Sequence, residues 1–313
     1  MKHSLLICFA MVLFTGSLFS QSSTSEKAKA AYDKKNYKEA IKLYSKLIDI
    51  NNAGYLDYYY RGNAYFELKM MQQAYDDFAT CVKLAPDFSE GWFARGSLLI
   101  NDTQAQDAIN DLNMAVKYAK NDTIKSLSYA NRGSAKLYVQ NYDGTIKDCL
   151  EALKIDSVTR RSRGAWINLS TAYGYQHKYD LSVPILKKMY NRDSNDVAVI
   201  SNLGFELSLL EKYDDAIYYF NRALRINANE PYALSNKSYA LLKLGKASEA
   251  LGLINKSIDL LPSNSYAYKN LGLIYLDLKQ KNKACEAFDM AIKKGFNDTY
   301  GGEVRELISN HCR

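Results

Sequence analysis

The sequence predicts an all-α solenoid in which eight similar helix pairs stack one on the next. One small residue recurs at steps of 34, 34, 37, 37, 34, 34 and 34 positions: Ala40, Ala74, Ala108, Thr145, Ser182, Ala216, Ala250 and Ala284. Another lies 12 positions before each of them: Ala28, Gly62, Gly96, Gly133, Ser170, Gly204, Ser238 and Gly272. A fixed period of this length is typical of repeat proteins, in which a unit buries its apolar face only against its neighbours.

Bulky residues hold fixed places around the two small ones. Trp92, Trp166 and Tyr268 lie four residues before the first small residue, and Phe78, Leu112, Leu186, Phe220 and Phe288 lie four residues after the second. A glycine inside a helix costs about 1 kcal/mol relative to alanine. We therefore expect Gly204 and Ala216 to mark a close contact between the two helices of a pair, where the packing offsets that cost.

The unit resembles the tetratricopeptide repeat. The family pattern of Trp, Leu-Gly and Tyr followed by Ala and Phe is matched by "YKNLGLIYLDLKQKNKACEAFDMAIKKG" (268–295) and by "YYYRGNAYFELKMMQQAYDDFATCVKLAP" (58–86). The resemblance extends over an array of eight repeats in residues 21–297. It implies a right-handed α-solenoid whose first helices line a concave face, where extended peptides or helices of other proteins bind.

The N-terminal residues 1–20 are predicted to be a signal peptide. A basic start at Lys2 precedes an apolar run of 15 residues, and Ser20 offers a small residue before a cleavage point at Gln21. The run is shorter than the roughly 20 residues that a membrane-spanning helix needs. We expect an exported protein, periplasmic or secreted, with no membrane span after cleavage; an uncleaved anchor is the alternative.

Two junctions and the C-terminus depart from the regular repeat. Three extra residues precede the fourth and the fifth units, in "KNDTIKSLS" and "DSVTRRSRG". We expect longer loops there, and a local change in superhelical pitch is the alternative. Residues 298–313 are predicted to form a capping helix that covers the eighth pair. With Cys285 and Cys312, this end resembles that of many secreted bacterial members of the family, which implies a disulfide between the two; two free thiols are the alternative.

The sequence contains no constellation that would carry catalysis. Only His177 and His311 follow the leader, and no metalloprotease, hydrolase or nucleotide-binding motif occurs. The net charge is +7, and acidic residues are interleaved with the basic ones along the chain. Nucleic-acid binding normally needs a stripe of basic residues. We therefore predict a protein that is not an enzyme, with no catalytic residue, cofactor, metal site or nucleic-acid partner.

Five successive units carry an asparagine two residues before the first small position: Asn131, Asn168, Asn202, Asn236 and Asn270. Helices packed about 8–10 Å apart would set these amides in a row. Because an extended peptide advances about 3.3 Å per residue, one amide would meet every third residue and could both donate to and accept from its backbone. The alternative is that asparagine is simply a common exposed residue at this position in the family.

Aromatic residues are expected to add apolar pockets on the same face, although some belong to the core: Tyr59, Phe66, Phe93, Tyr138, Tyr175, Phe205, Tyr232 and Tyr239. The lysine-rich carboxylate clamp of chaperone-binding members of the family is not reproduced, because Tyr60 and Ala94 occupy places that need polar or basic residues. The sequence thus predicts an exported, non-catalytic scaffold that binds segments of other proteins. The alternative is a binder of carbohydrate or cell-envelope polymer that stacks sugars on tyrosines.

Overall fold

The computed structural model describes residues 24–51, 53–297 and 301–312, and the predicted signal peptide lies outside them. Within these residues all regular secondary structure is helical. The predicted all-α repeat architecture is therefore confirmed. No helix in this part of the chain combines the length and the apolar character that crossing a bilayer requires.

The described helices form eight consecutive pairs, followed by one more helix. The first four pairs are 24–33 (α1) and Tyr37–Asp49 (α2), Tyr55–Glu67 (α3) and Met71–Leu84 (α4), Ser89–Leu98 (α5) and Ala105–Tyr118 (α6), and Asp122–Tyr138 (α7) and Tyr142–Ile155 (α8). The next four are Arg163–Tyr175 (α9) and Tyr179–Arg192 (α10), Val197–Leu209 (α11) and Tyr213–Ile226 (α12), Pro231–Lys243 (α13) and Ala247–Leu260 (α14), and Ser265–Asp277 (α15) and Lys281–Lys293 (α16). The last helix is Glu303–His311 (α17).

The chain divides into two compact units, and the division falls within α9, between Leu169 and Ser170. Unit 1 contains the first four pairs and unit 2 the last three, together with α10 and α17. Each unit has its own buried apolar clusters, such as that around Tyr44 in unit 1 and that around Ile254 in unit 2.

The first small residue of a pair makes room for the bulky residue of the second helix. A Cβ atom placed on Gly204 would lie 2.7 Å from the Phe220 ring, and one placed on Gly272 would lie 2.3 Å from the Phe288 ring. Both rings are fully buried. The close approach predicted at Gly204 is therefore present, and its tightest contact is with Phe220, four residues beyond Ala216.

In two repeats the second small residue carries a hydroxyl, and that hydroxyl is hydrogen-bonded to the first small residue. The Thr145 hydroxyl donates to the Gly133 carbonyl at 3.0 Å, and the Ser182 hydroxyl donates to the Ser170 carbonyl at 3.1 Å. Such a partner stabilises a buried hydroxyl, since leaving one unsatisfied costs about 1–3 kcal/mol. These contacts explain why threonine and serine can replace alanine in the fourth and fifth repeats.

An ion pair that the sequence analysis did not predict joins the two helices of three pairs in unit 1. Arg61 donates from Nε and Nη2 to the two carboxylate oxygens of Asp77, at 2.8 and 2.7 Å. The same two-point contact joins Arg95 to Asp111 and Arg132 to Asp148. In the last three pairs the equivalent positions hold Leu203 with Tyr219, Lys237 with Leu253, and Leu271 with Ala287.

The three-residue insertions add helical structure rather than longer loops. The helix α7 has 17 residues, whereas α3 and α11 each have 13. The second insertion forms a 3₁₀ turn at Arg160–Ser162, directly before α9. The expectation of longer loops is therefore wrong, because the extra residues continue hydrogen-bonded backbone at the helix entrance.

The helix α17 covers the apolar end of the eighth pair. Val304 is fully buried in a cluster with Phe288 and Phe296. Cys285 of α16 and Cys312 form a disulfide with a Cα–Cα distance of 5.7 Å. An apolar contact and a covalent link therefore hold this helix against its neighbour.

Candidate functional site

A groove of about 560 Å³ crosses the first helices of the last three pairs, within unit 2. We call it the α11–α15 groove. The residues that line it are Val197, Ala198, Ser201, Asn202 and Phe205 of α11, Glu230, Tyr232 and Asn236 at and after the start of α13, and Asn264 and Tyr266 at the start of α15.

Helical spacing brings these side chains to one face. Ala198, Asn202 and Phe205 are four and three residues apart, so they follow one another along the surface of α11. Tyr232 and Asn236 repeat the four-residue step on α13. Each helix therefore presents an apolar or aromatic side chain one turn before its asparagine.

Two of the five predicted asparagines have amides that are free to bind a ligand. Asn202 is exposed and Asn236 is partly exposed, and both line the groove. Neither side-chain amide has a hydrogen-bond partner among the residues that the structure describes. The hydroxyl of Ser201, next to Asn202, is buried and likewise has no partner in that part of the chain.

The other three asparagines link successive pairs. The Asn131 amide donates to the Ser97 hydroxyl at 2.8 Å, and the Asn168 amide donates to the Ala130 carbonyl at 3.1 Å. The amide nitrogen of Asn270 lies 3.3 Å from the hydroxyl oxygen of Ser235. In each case the bond runs from a first helix to the first helix of the preceding pair. The row thus combines two kinds of residue, inter-helix links and free amides.

The prediction that Asn270 contacts a partner is wrong. Its side chain is fully buried. Its amide is bonded to Ser235, and Tyr266, four residues earlier on α15, lines the groove in its place.

Two of the predicted aromatic residues of unit 1 pack against neighbouring helices. The Tyr59 ring packs against the rings of Phe88 and Phe78, with centroids 5.1 and 6.2 Å away. Phe93 packs against the buried cluster of Leu99 and Leu112. Both rings contribute to the packing between helices and stay partly exposed, so their binding roles remain predictions.

The remaining aromatic predictions have mixed outcomes. Phe205 and Tyr232 line the groove and are 36% and 56% exposed. Phe66, Tyr138 and Tyr175 are exposed but lie outside it. The Tyr239 ring also lies outside, with the Lys243 ammonium 5.4 Å from its centroid.

Tyr266, Glu230 and Asn264 line the groove but were not among the residues predicted from the sequence. Tyr266 and Tyr232 both lie six positions before the first small residue of their repeats, and therefore one turn before the asparagine. That repeated offset is the signal that could have identified them. Glu230 and Asn264 are the residues that cap the N-termini of α13 and α15.

The edge of the groove at the helix N-termini is acidic. The Glu230 carboxylate accepts a hydrogen bond from the Ala233 backbone N–H. Asp196, the residue before Val197, accepts from the Val199 backbone N–H at 3.2 Å. Among the described residues, no lysine or arginine lines the groove.

A buried carboxyl lies one turn after Asn202 on α11. Glu206 is only 7% exposed, and its Oε2 has no hydrogen-bond partner in the described part of the chain. Burial raises the pKa of this carboxyl to about 7, although the nearby Ser182 hydroxyl opposes the shift. Glu206 therefore titrates near neutral pH, close to the groove but outside its lining.

The described residues show no group of three or more histidine, cysteine, aspartate or glutamate side chains that could hold a metal ion. The polar groups of the α11–α15 groove are amides, hydroxyls and one carboxylate. The arrangement is suited to hydrogen bonding and to apolar contact.

Comparison with curated proteins finds partial matches. A tetratricopeptide repeat and J domain-containing co-chaperone of Cryptococcus neoformans is 24% identical over 147 residues, which are 44% of this chain and 28% of the relative. A heat shock protein sti1 homolog of Schizosaccharomyces pombe is 33% identical over 73 residues, which are 23% of this chain and 12% of the relative. The chain spans less than a third of the length of either relative.

Solved structures share the fold at low sequence identity. The Cut9–Hcn1 hetero-tetramer of the APC/C has a chain that is 15% identical, with a TM-score of 0.60 over 90% of this chain and 54% of that one. Yeast Tom70 is 16% identical, with a TM-score of 0.50 over 88% of this chain and 58% of that one.

Two family models match the chain itself. Both are described as tetratricopeptide repeat, and they match residues 58–88 in unit 1 and residues 235–298 in unit 2. These segments contain the second repeat and the last two repeats identified from the sequence. Together with the eight helix pairs, these matches show that the chain belongs to the tetratricopeptide repeat family.

Proposed function

We propose that this chain is a non-catalytic scaffold that binds an extended peptide segment of another protein in the α11–α15 groove. The observation that carries the proposal is the pair of free amides, Asn202 and Asn236, on adjacent first helices. A ligand backbone would supply the carbonyl and N–H groups that these amides can pair with.

The aromatic side chains provide the apolar part of the contact. Phe205, Tyr232 and Tyr266 surround the two amides, so a ligand side chain can be removed from water beside its bonded backbone. Burying a side chain of leucine or phenylalanine size contributes about 1.5–3 kcal/mol. The amides would fix the register of the peptide, and the aromatic residues would supply much of its affinity.

The family relationship supports this proposal in general terms. The curated relatives include a co-chaperone and a heat shock protein homolog, and the matched structures include subunits of protein assemblies.

We further propose that the protein is exported through residues 1–20. Expression in a Gram-negative host with a C-terminal tag would test this. Export predicts a mature N-terminus at Gln21, whereas an intact Met1 in the soluble fraction would contradict it.

The binding proposal is tested by selecting ligands from a displayed library of random 12-residue peptides. Affinities of the selected peptides are then measured for the parent protein, for the double variant Asn202→Ala/Asn236→Ala and for Asn255→Ala. Asn255 is an exposed residue of α14 outside the groove, which makes it a matched control. Circular dichroism would establish that all variants keep their helicity.

Loss of two hydrogen bonds of about 1 kcal/mol each corresponds to roughly 30-fold weaker binding. We expect that loss in the double variant and none in Asn255→Ala. If no selected peptide binds the double variant more weakly than the parent protein, the proposal is overturned. Binding on a glycan array that this variant abolishes, with no peptide selected, would favour the carbohydrate alternative.

A further inference from the structure

We infer that the α11–α15 groove selects an internal peptide segment that carries a basic residue, and that it discriminates against acidic segments and free C-terminal carboxylates. The inference rests on the proposed function, since it specifies the chemistry of the peptide that binds there. Its basis is the distribution of charge around the groove and the way in which the helix N-termini are capped.

The groove lies beside the N-terminal ends of three helices, where an anion would ordinarily be attracted by unpaired N–H groups and the helix dipole. Here a side chain of the protein already occupies one N–H group at each of these ends. The side chains of Asp196, Glu230 and Asn264 accept hydrogen bonds from backbone N–H groups of α11, α13 and α15. A peptide carboxylate would have to compete with these caps, two of which are themselves negatively charged.

Two lysines of these helices are not placed to neutralise Glu230. The Lys269 side chain is 5% exposed, and its ammonium is bonded at 3.1 Å to the Glu303 carboxylate of α17. Lys243 is the last residue of α13, whereas Glu230 precedes the first. A helix of 13 residues is about 20 Å long, so Lys243 lies at the end remote from the groove.

A basic side chain of the peptide would find a partner in Glu230. One carboxylate oxygen caps α13, and a carboxylate has capacity for further hydrogen bonds. An exposed ion pair contributes about 0.2–1 kcal/mol, which corresponds to a 1.4- to 5-fold gain in affinity. An acidic side chain at the same place would be repelled by a comparable factor, and this produces a measurable preference rather than an absolute one.

The test displays one random 12-residue library in two formats: between two folded domains, so that the peptide has no free end, and at a free C-terminus. Each pool is selected on the parent protein, on Glu230→Gln and on Glu249→Gln. Glutamine retains an oxygen that can cap α13. Glu249 lies on the exposed surface of α14 outside the groove, so Glu249→Gln makes the same change in net charge elsewhere.

We expect groove-dependent binders from the internal format, enriched in lysine or arginine and depleted in aspartate and glutamate. Glu230→Gln should weaken a selected basic peptide about 2- to 5-fold, and Glu249→Gln should leave it unchanged. Groove-dependent binders that are acidic, or that require a free carboxylate, would overturn the inference and leave the proposed function standing. An equal loss in both variants would also overturn it. If neither format yields a groove-dependent binder, the proposed function fails, and the inference fails with it.

Discussion

Replacing Gly272 with alanine places a methyl group where the structure has no space for one. The added Cβ would approach three carbon atoms of the Phe288 ring at 2.3, 2.5 and 2.8 Å. Phe288 is fully buried, so moving its ring would disturb the surrounding core. Gly252 of α14 is the matched control: it is exposed, and a Cβ there would meet nothing within 4 Å.

Two opposing terms decide the sign of the effect. Alanine gains about 1 kcal/mol over glycine inside a helix. Overpacking a filled core costs about 1–3 kcal/mol and occasionally more. With three approaches below 3 Å, we take the upper end of that range, and Gly272→Ala should destabilise the chain by about 2 kcal/mol. Gly252→Ala retains only the favourable term and should stabilise it by about 0.5–1 kcal/mol.

Thermal unfolding followed by circular dichroism distinguishes the two variants. A change of 1 kcal/mol moves the melting temperature of a domain of 150–250 residues by about 2–4 °C. We expect Gly272→Ala to melt about 4–8 °C below the parent chain and Gly252→Ala to melt 1–4 °C above it. If Gly272→Ala were as stabilising as Gly252→Ala, the assignment of this glycine to a close inter-helix contact would be refuted.

Three further predictions concern stability. Asn270→Ala should cost about 1–2 kcal/mol of stability because a buried hydrogen bond is lost. Asn202 is exposed, so Asn202→Ala should change stability by less than about 0.5 kcal/mol. Equal shifts of the melting temperature would contradict the division of the asparagines into inter-helix links and free amides. The pKa of Glu206 rises from 4.5 to about 7 on folding. The stability that the protonated carboxyl contributes to the folded chain is therefore fully present below pH 4.5 and is lost as the pH rises through 7. Glu206→Gln should therefore stabilise the chain by up to about 3 kcal/mol at pH 8 and should change its stability little at pH 4.5. Urea titrations in which the gain in stability is the same at both pH values would disprove this prediction. The disulfide between Cys285 and Cys312 closes a separation of 27 residues, so replacing both with serine should cost about 3.5 kcal/mol in the chain-entropy model; an unchanged urea midpoint would show that the link does not hold α17.

Much of the fold was predictable because the repeat determines where helices pack. The recurrence of residues such as Gly204 and Phe220 marks the pairs, and the five glycines at the first small position leave little space for a larger side chain. The bidentate pair of Arg61 and Asp77 was not recognised. Its members are 16 residues apart on different helices, and only the packed geometry shows that they meet.

The functional site was only partly predictable for the same reason. Asn202 and Asn270 occupy equivalent positions in the repeat, yet one is exposed and the other is fully buried. The difference depends on the neighbouring helix, where Ser235 offers a partner to Asn270. Periodicity gives the direction in which a side chain points, whereas its accessibility depends on the neighbouring repeat.

The side-chain amide resonances of the asparagines provide the most direct test of the central claim, that two free amides bind the backbone of a peptide. The protein would be labelled with ¹⁵N and titrated with a peptide selected as above. We predict that the amide signals of Asn202 and Asn236 shift and that their protons become protected from exchange with solvent, while those of Asn131 and Asn168, already bonded to neighbouring helices, stay in place. Saturable binding that leaves the signals of Asn202 and Asn236 unchanged would contradict the account.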